Sequence, residues 1–387
     1  MKQLPIGIQS FEQLISKKYL YVDKTEYVHR LITTGAYYFL ARPRRFGKSL
    51  TVSTLKALFE DKRELFAGLW IDQSTYTWEK HPVVYIDFAT VQAGAPAIFK
   101  RSLGKKLASI ALQYNIVLEL DEPGDMLNEL MVLLRRQGPV AVLVDEYDAP
   151  ILKHLPKSVH LHEIHEQMQS FFLTLKGLSE HVQFMFITGV SKFSKTSIFS
   201  GFNNLKDISM DERYAELCGY THTELTTYFT EHIAALATHE ACTQKLVTQK
   251  ITDWYDGYRF APNATAMYNP FSVLLLCDTK AFKNYWFGTG TPTFLLKMIG
   301  KAERIPSSFE TVSMSEAAMD AAEPEHLEIV PLMLQTGYLT IKSFDPETTN
   351  YTLSFPNREV RSAFAQNLSK YFTPVSLEDY NDPNPKD

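Results

Sequence analysis

Ala36-Tyr37-Tyr38-Phe39-Leu40-Ala41-Arg42-Pro43-Arg44-Arg45-Phe46-Gly47-Lys48-Ser49 runs from a nearly continuous apolar stretch, through a short loop, into Gly-Lys-Ser. From Lys48 to Phe59 the apolar side chains Leu50, Val52, Leu55, Leu58 and Phe59 then recur at helical spacing. A strand, a loop and a helix in that order form a setting in which loop and helix N-terminal N–H groups wrap phosphates. In the pattern G-x-x-x-x-G-K-[ST], the lysine bridges the β and γ phosphates and the hydroxyl holds Mg²⁺. Gly47, Lys48 and Ser49 match its second half, while Arg42 stands where the first glycine belongs. Arg44, Arg45, Phe46 and Leu50 fill out the loop and helix start around the expected phosphates. Arg44 and Arg45 add positive charge there; the alternative is a pair of solvated or carboxylate-paired arginines.

Three more apolar runs follow, Val83 to Phe88, Val140 to Asp145 and Val182 to Thr188, as expected for strands covered on both faces. Helical patterns lie between them, at Ala97 to Tyr114, Asp125 to Gln137 and His162 to Leu178. The alternation predicts a doubly wound α/β domain with a parallel sheet over residues 1–210. The third run ends in Asp145-Glu146, the acid pair that a phosphate loop needs. Asp145 is expected to hold the Mg²⁺ water shell, and Glu146 to orient and deprotonate the attacking water. The alternative for such a strand end is a helix cap or a surface acid. The next strand ends in Thr188-Gly189-Val190-Ser191-Lys192. If it lies between the other two, it brings a hydroxyl beside both motifs, as in an ATPase with an additional strand. Lys48, Glu146 and Thr188 are therefore the candidate catalytic residues, and Ser49 and Asp145 the candidate metal ligands. Lys192, Lys195 and Arg213 are candidates for touching the γ phosphate. Asp87 is either a water- or metal-positioning acid or a plain strand-end acid.

Tyr21-Val22-Asp23-Lys24-Thr25, Phe39 to Ser49, Val144-Asp145-Glu146-Tyr147-Asp148-Ala149-Pro150, Thr188 to Ser194, and Trp254-Tyr255-Asp256-Gly257-Tyr258 together resemble the bacterial AAA-ATPase-like family, often joined to a PD-(D/E)xK nuclease-like C-terminal domain. The resemblance spans residues 1–370 and includes the arginine at position 42. It implies a P-loop ATPase core of the additional-strand class, related to signal-transducing switch ATPases, with ATP and Mg²⁺ as ligands. It also implies that the segment around Phe11, Tyr21 and Asp23 lies near the adenine. The nuclease pattern, an Asp followed by Glu-x-Lys, has no counterpart beyond Glu60-Asp61-Lys62 at a helix end, so that domain and its activity are expected to be absent.

After residue 210 the pattern turns helical, over 211–305. Aromatics concentrate in Trp254 to Phe260, Tyr268 to Phe271 and Asn284 to Phe287, either as a compact core or as a surface that senses nucleotide state or docks a partner. Residues 306–375 predict a winged-helix-like module. Its helix stops at Gly337, a strand follows, the turn-rich Asp345 to Asn350 leads to Tyr351 to Phe355, and a last helix starts near Glu359. A polar tail occupies 376–387.

Across 387 residues, 39 Lys plus Arg against 44 Asp plus Glu give a net charge of −5, which lends no support to general nucleic-acid binding. A local patch at Arg358 and Arg361 leaves DNA open. Cys218, Cys242 and Cys277 are too few for a disulfide framework and fit a reducing compartment. No secretion signal opens the chain, and no apolar run nears the ~18 residues of a membrane span. A cytoplasmic protein is expected, with a protein partner or a second copy of the chain rather than a membrane. His154, His160, His162, His165 and Glu166 lack an HExxH pattern or cysteine partner and read as a solvated helix start rather than a metal site. These features point to Mg-dependent ATP binding and slow hydrolysis coupled to movement of the later regions. The alternative is a nucleotide-binding switch, or a DNA- or protein-binding regulator, with little or no turnover.

Overall fold

The structure, a computed structural model, describes residues 1–155, 158–192, 198–199, 202–286, 299, 309–320 and 328–372. Strands β1 (Tyr37–Ala41), β2 (Val83–Asp87), β3 (Val140–Asp145), β4 (Val182–Gly189) and β5 (Lys206–Asp207) form one parallel sheet, ordered β2-β3-β4-β1-β5. Every residue of β3 is buried, which explains its unbroken apolar run. Each of Val142, Leu143 and Val144 gains about 2 kcal/mol from leaving water, enough to hold the strand between its neighbours.

The helices of this domain are α1 (Phe11–Ser16), α2 (Thr25–Thr34), α3 (Lys48–Phe59), α4 (Pro96–Gln113), α5 (Pro123–Arg135), α6 (Ala149–Leu152) and α7 (Leu161–Gly177). Helix α3 packs with α1 and α2 and against β2 and β3, while α4, α5 and α7 pack on one another. Helices α4 and α5 begin on Pro96 and Pro123, slightly earlier than the apolar periodicity alone predicts. A proline at the first helical position loses no hydrogen bond and arrives with a helical φ.

The pairing register sets the site. Leu40 lies opposite Thr188, Ala41 opposite Gly189, Val144 opposite Ile187 and Asp87 opposite Asp145. The phosphate-loop candidate, Thr188, the Asp145-Glu146 pair and Asp87 therefore gather at one edge of the sheet, with β4 between β1 and β3.

Helices Thr230–His239, Gln244–Tyr255 and Pro270–Thr279, with the shorter His222–Tyr228, enclose a second apolar core that includes Leu225, Phe229, Val247, Ile251, Tyr255 and Val273. Leu20 and Val22, from the N-terminal segment, belong to this second core, whereas Phe11 belongs to the first. Lys24 adds an ion pair at 2.6 Å to Glu224, which also closes the capping box of Thr221. The N-terminal segment is thus fastened to both bodies.

Toward the C-terminus, helix Ile329–Thr336 leads into β7 (Thr340–Asp345) and β8 (Asn350–Ser354). These join β6 (Val312–Ser315) in an antiparallel sheet ordered β6-β8-β7, followed by helix Arg358–Phe372. The turn at Asp345 to Asn350 and the stop at Gly337 stand where the sequence places them. Phe287 and the tail 376–387 lie outside the described residues.

Gly257 adopts φ +105°, and a Cβ there would sit 2.2 Å from the Pro356 carbonyl oxygen, a backbone atom that cannot step aside. Gly257→Ala is expected to cost about 3 kcal/mol or more, read as a lower midpoint in urea unfolding. Unchanged stability would mean that these two segments do not press together.

Candidate nucleotide site

The phosphate-loop candidate leaves β1 at Ala41 and re-enters regular structure at Lys48, the first residue of α3. Gly47 turns with φ +103° and Arg45 with φ +69°, so the loop depends on left-handed backbone at two positions. Lys48 is buried, and its ammonium donates to the carbonyls of Arg42 (2.9 Å) and Pro43 (3.0 Å), folding back over its own loop. Burial pushes its pKa down, while Glu146, Asp145 and Asp148 work to keep it charged.

Arg42 does not stand in the way of phosphates. Its side chain is buried and donates to the carbonyls of Ala41 (3.0 Å), Ser209 (2.5 Å) and Tyr214 (3.4 Å). Its guanidinium carbon lies 4.1 Å from the Phe260 ring centre, and burial pushes its pKa down to about 10. The residue that breaks the glycine pattern is a strut joining the loop to the segment after β5.

Across the sheet edge, Asp145 is buried and accepts the Thr188 hydroxyl and the Glu146 N–H (3.1 Å). A carboxylate taken out of water needs such donors. Glu146 is a left-handed non-glycine residue (φ +48°), a conformation concentrated at functional sites. Its carboxyl is pushed up by burial and by Asp145 and Asp148, and pulled down by Lys48 and Arg44. Asp148, also buried, accepts N–H bonds from Val190 (3.1 Å) and Ser191 (2.8 Å) and the Ser191 hydroxyl (2.6 Å). With the Tyr147 hydroxyl on Ser191 O (3.0 Å), it pins the turn after β4 and so the place of Thr188. Ser49 and Asp145, the expected metal ligands, offer a hydroxyl and a carboxylate, the oxygen donors that a hard cation such as Mg²⁺ takes.

Beside the loop lies a cavity lined by Tyr21, Val22, Leu50, Thr51, Cys218 and Tyr220, among others. Its mainly apolar walls come from the N-terminal segment, α3 and the entry to the helical region, and Gly47 forms its junction with the loop.

On its other side the loop is held residue by residue. A Cβ at Gly337 would come within 2.8 Å of Pro43 Cβ. The Trp286 indole N–H donates to Arg44 O (3.3 Å), and the Arg45 guanidinium carbon stands 3.7 Å from the Phe271 ring centre. The Phe46 ring meets Tyr258 (4.8 Å) and Phe260 (5.2 Å) edge-on. The concentrated aromatics build a core, and Phe260, Phe271 and Trp286 among them touch the loop.

A family described as Predicted AAA-ATPase matches residues 5–199. The chain belongs to the AAA-ATPase-like family. It is also similar to an uncharacterized protein in the vnfD 5' region of Azotobacter chroococcum mcd 1, 37% identical over 378 residues, which cover 96% of this chain and 71% of that protein. The AAA-ATPase-like match takes in Tyr21 and Val22, the phosphate loop, the acid pair and Thr188, and it ends before Cys218, Phe260, Phe271, Trp286 and Gly337. Family membership supports nucleotide binding in general.

Other residues singled out by sequence take varied places in this AAA-ATPase-like fold. Asp23 has its carboxylate engaged by Thr25 N–H (2.8 Å), the Thr25 hydroxyl (2.7 Å) and Trp70 N–H (2.7 Å), while its neighbours Tyr21 and Val22 line the cavity. Lys192 pairs with Asp207 at 3.0 Å, and Arg213 pairs with Asp211. Lys195 lies outside the described residues. Asp87 accepts Ala89 N–H (2.9 Å), and burial raises its pKa, with Asp145 adding to the effect. Arg358 covers the Trp254 ring (4.8 Å), and Arg361 pairs at the surface with Glu310 (2.7 Å). His154 bonds to Ala93 O and Ser158, and His162 faces Glu166. Among the described residues no three metal-binding side chains cluster, and no helix is long and apolar enough to cross a membrane.

Sequence reasoning missed Asp148 and Ser191 as the pair that fixes the Thr188 turn, although Asp148 stands in the stretch that carries the resemblance. It also missed Cys218 and Tyr220 in the cavity wall, for which no local signal exists.

Proposed function

We propose that the chain binds Mg-ATP and hydrolyses it slowly, with turnover coupled to movement of the helical region and a winged-helix-like C-terminal module. The observation that carries this reading is the placement of β4 between β1 and β3, which sets Lys48, Thr188, Asp145 and Glu146 at one sheet edge. Gly47 and the α3 N-terminus would receive the β and γ phosphates, with Lys48 turning from its own carbonyls to their oxygens. The metal, when bound, supplies charge neutralisation at the phosphates through Ser49 and Asp145. Thr188 holds the Asp145 carboxylate in place. Glu146, whose raised pKa makes it a stronger base, orients water and takes its proton. Arg44 and Arg45 add positive charge, and Tyr21 and Val22 cover the base.

The contacts of residues 42–46 with Phe260, Phe271, Trp286 and Gly337 support the coupling, because a loop reshaped by phosphates must disturb them. A nucleotide-binding switch with little turnover is the second reading, favoured by the engagement of Lys48 with its own loop. Purified protein given Mg-ATP is expected to release phosphate above a Glu146→Gln control. No release above that control removes the hydrolysis and leaves the switch.

A further inference from the structure

Glu359 is fully buried in the first turn of helix Arg358–Phe372. One carboxylate oxygen accepts the backbone N–H groups of Tyr285 (2.6 Å) and Trp286 (2.9 Å), and the other accepts the Ser272 hydroxyl (2.8 Å). Each partner belongs to an arm that reaches the phosphate loop. The Trp286 indole donates to Arg44 O, and Phe271, next to Ser272, stacks under Arg45. Thus a single carboxylate ties together the two arms that hold Arg44 and Arg45.

Packing alone does not call for such a group. Burying a carboxylate costs more than burying an apolar side chain of similar size, so its retention at this junction fits a specific geometric duty. Among the described residues the buried Arg45 guanidinium nitrogen Nη1 has no hydrogen-bond partner, and the ring of Phe271 is a close contact of that guanidinium. The charged and titratable groups facing Glu359 are Arg45 from the loop, Tyr255 and Tyr258 from the segment before it, and Tyr285. Burial pushes the Glu359 carboxyl up to about 7, opposed by its three hydrogen bonds and by Arg45.

We propose that Glu359 is a positioning residue for the phosphate loop, holding Trp286 and the Phe271 helix so that Arg44 and Arg45 keep the loop in the shape that receives a triphosphate. This rests on the nucleotide-binding reading above. The test titrates full-length protein with a fluorescent ATP analogue. Glu359→Ala is expected to raise Kd about tenfold, the loss expected for hydrogen bonds whose geometry no longer holds. Glu359→Gln is expected to restore it, since its carbonyl accepts both N–H groups and its amide donates to the Ser272 hydroxyl.

A pH series separates positioning from plain support. With its folded pKa raised from 4.5 to about 7, the carboxyl contributes stability that is fully present below 4.5 and lost as pH rises through about 7. The wild-type unfolding midpoint and Kd are therefore expected to shift across this window by more than those of Glu359→Gln. Wild-type affinity in Glu359→Ala overturns the proposal, as does a Glu359→Gln variant that folds but binds no better than Glu359→Ala. Should Glu359→Ala not fold, Trp286→Phe and Phe271→Leu break the arms singly, and wild-type affinity in both overturns it equally. If wild type and Lys48→Ala bind alike, the nucleotide reading falls and takes the proposal with it; if only Lys48→Ala is impaired, the positioning role alone falls.

Discussion

On the proposed function, Lys48→Ala is expected to weaken ATP binding about 100-fold or more, because it would remove a charge-assisted contact to the phosphates. Lys48 is the buried cation at the head of α3, and Glu146, Asp145 and Asp148 all act to keep it protonated. The substitution also strips a donor from the carbonyls of Arg42 and Pro43, so a fall in stability of about 1 kcal/mol should accompany it. Titration with a fluorescent ATP analogue, alongside circular dichroism to confirm folding, measures the effect. Unchanged affinity in a folded variant would sink the phosphate-loop assignment.

Glu146→Gln carries the second large expectation: turnover should fall about 100- to 1,000-fold while nucleotide affinity stays near wild type. The substitution keeps the shape and removes the base. Since burial and the neighbouring acids raise the Glu146 pKa, the wild-type rate should climb as pH rises through that raised value and fall below it. The glutamine variant should show no such limb. Single-turnover phosphate release across a pH series reads both features. A variant that turns over at the wild-type rate would mean that another group activates the water.

Why the core could be read so far in advance is plain from its strands. Val83–Asp87, Val140–Asp145 and Val182–Gly189 are covered on both faces, so their apolar runs need no partner to be recognised. Gly47-Lys48-Ser49 and Asp145-Glu146 are short motifs whose chemistry depends on neighbours in the chain. Arg42 shows the limit of that reading. As a departure from a glycine pattern it could be matched to the family but not given a role, and its guanidinium reaches Ser209 and Tyr214, 167 and 172 residues away. Glu359 is the stronger case, with partners 73, 74 and 87 residues away and nothing local to mark it.

Sequence by itself determined the strand, loop and helix that carry Lys48, the acid pair at the end of β3, and the hydroxyl on β4, because each depends on propensity and burial within a few residues. The tertiary structure decided that β4 lies between β1 and β3, that Tyr21 and Val22 face the loop across a cavity, and that Phe260, Phe271, Trp286 and Gly337 grip it from behind. Those contacts join residues far apart in the chain, and what selects them is the joint burial of many side chains rather than any local pattern.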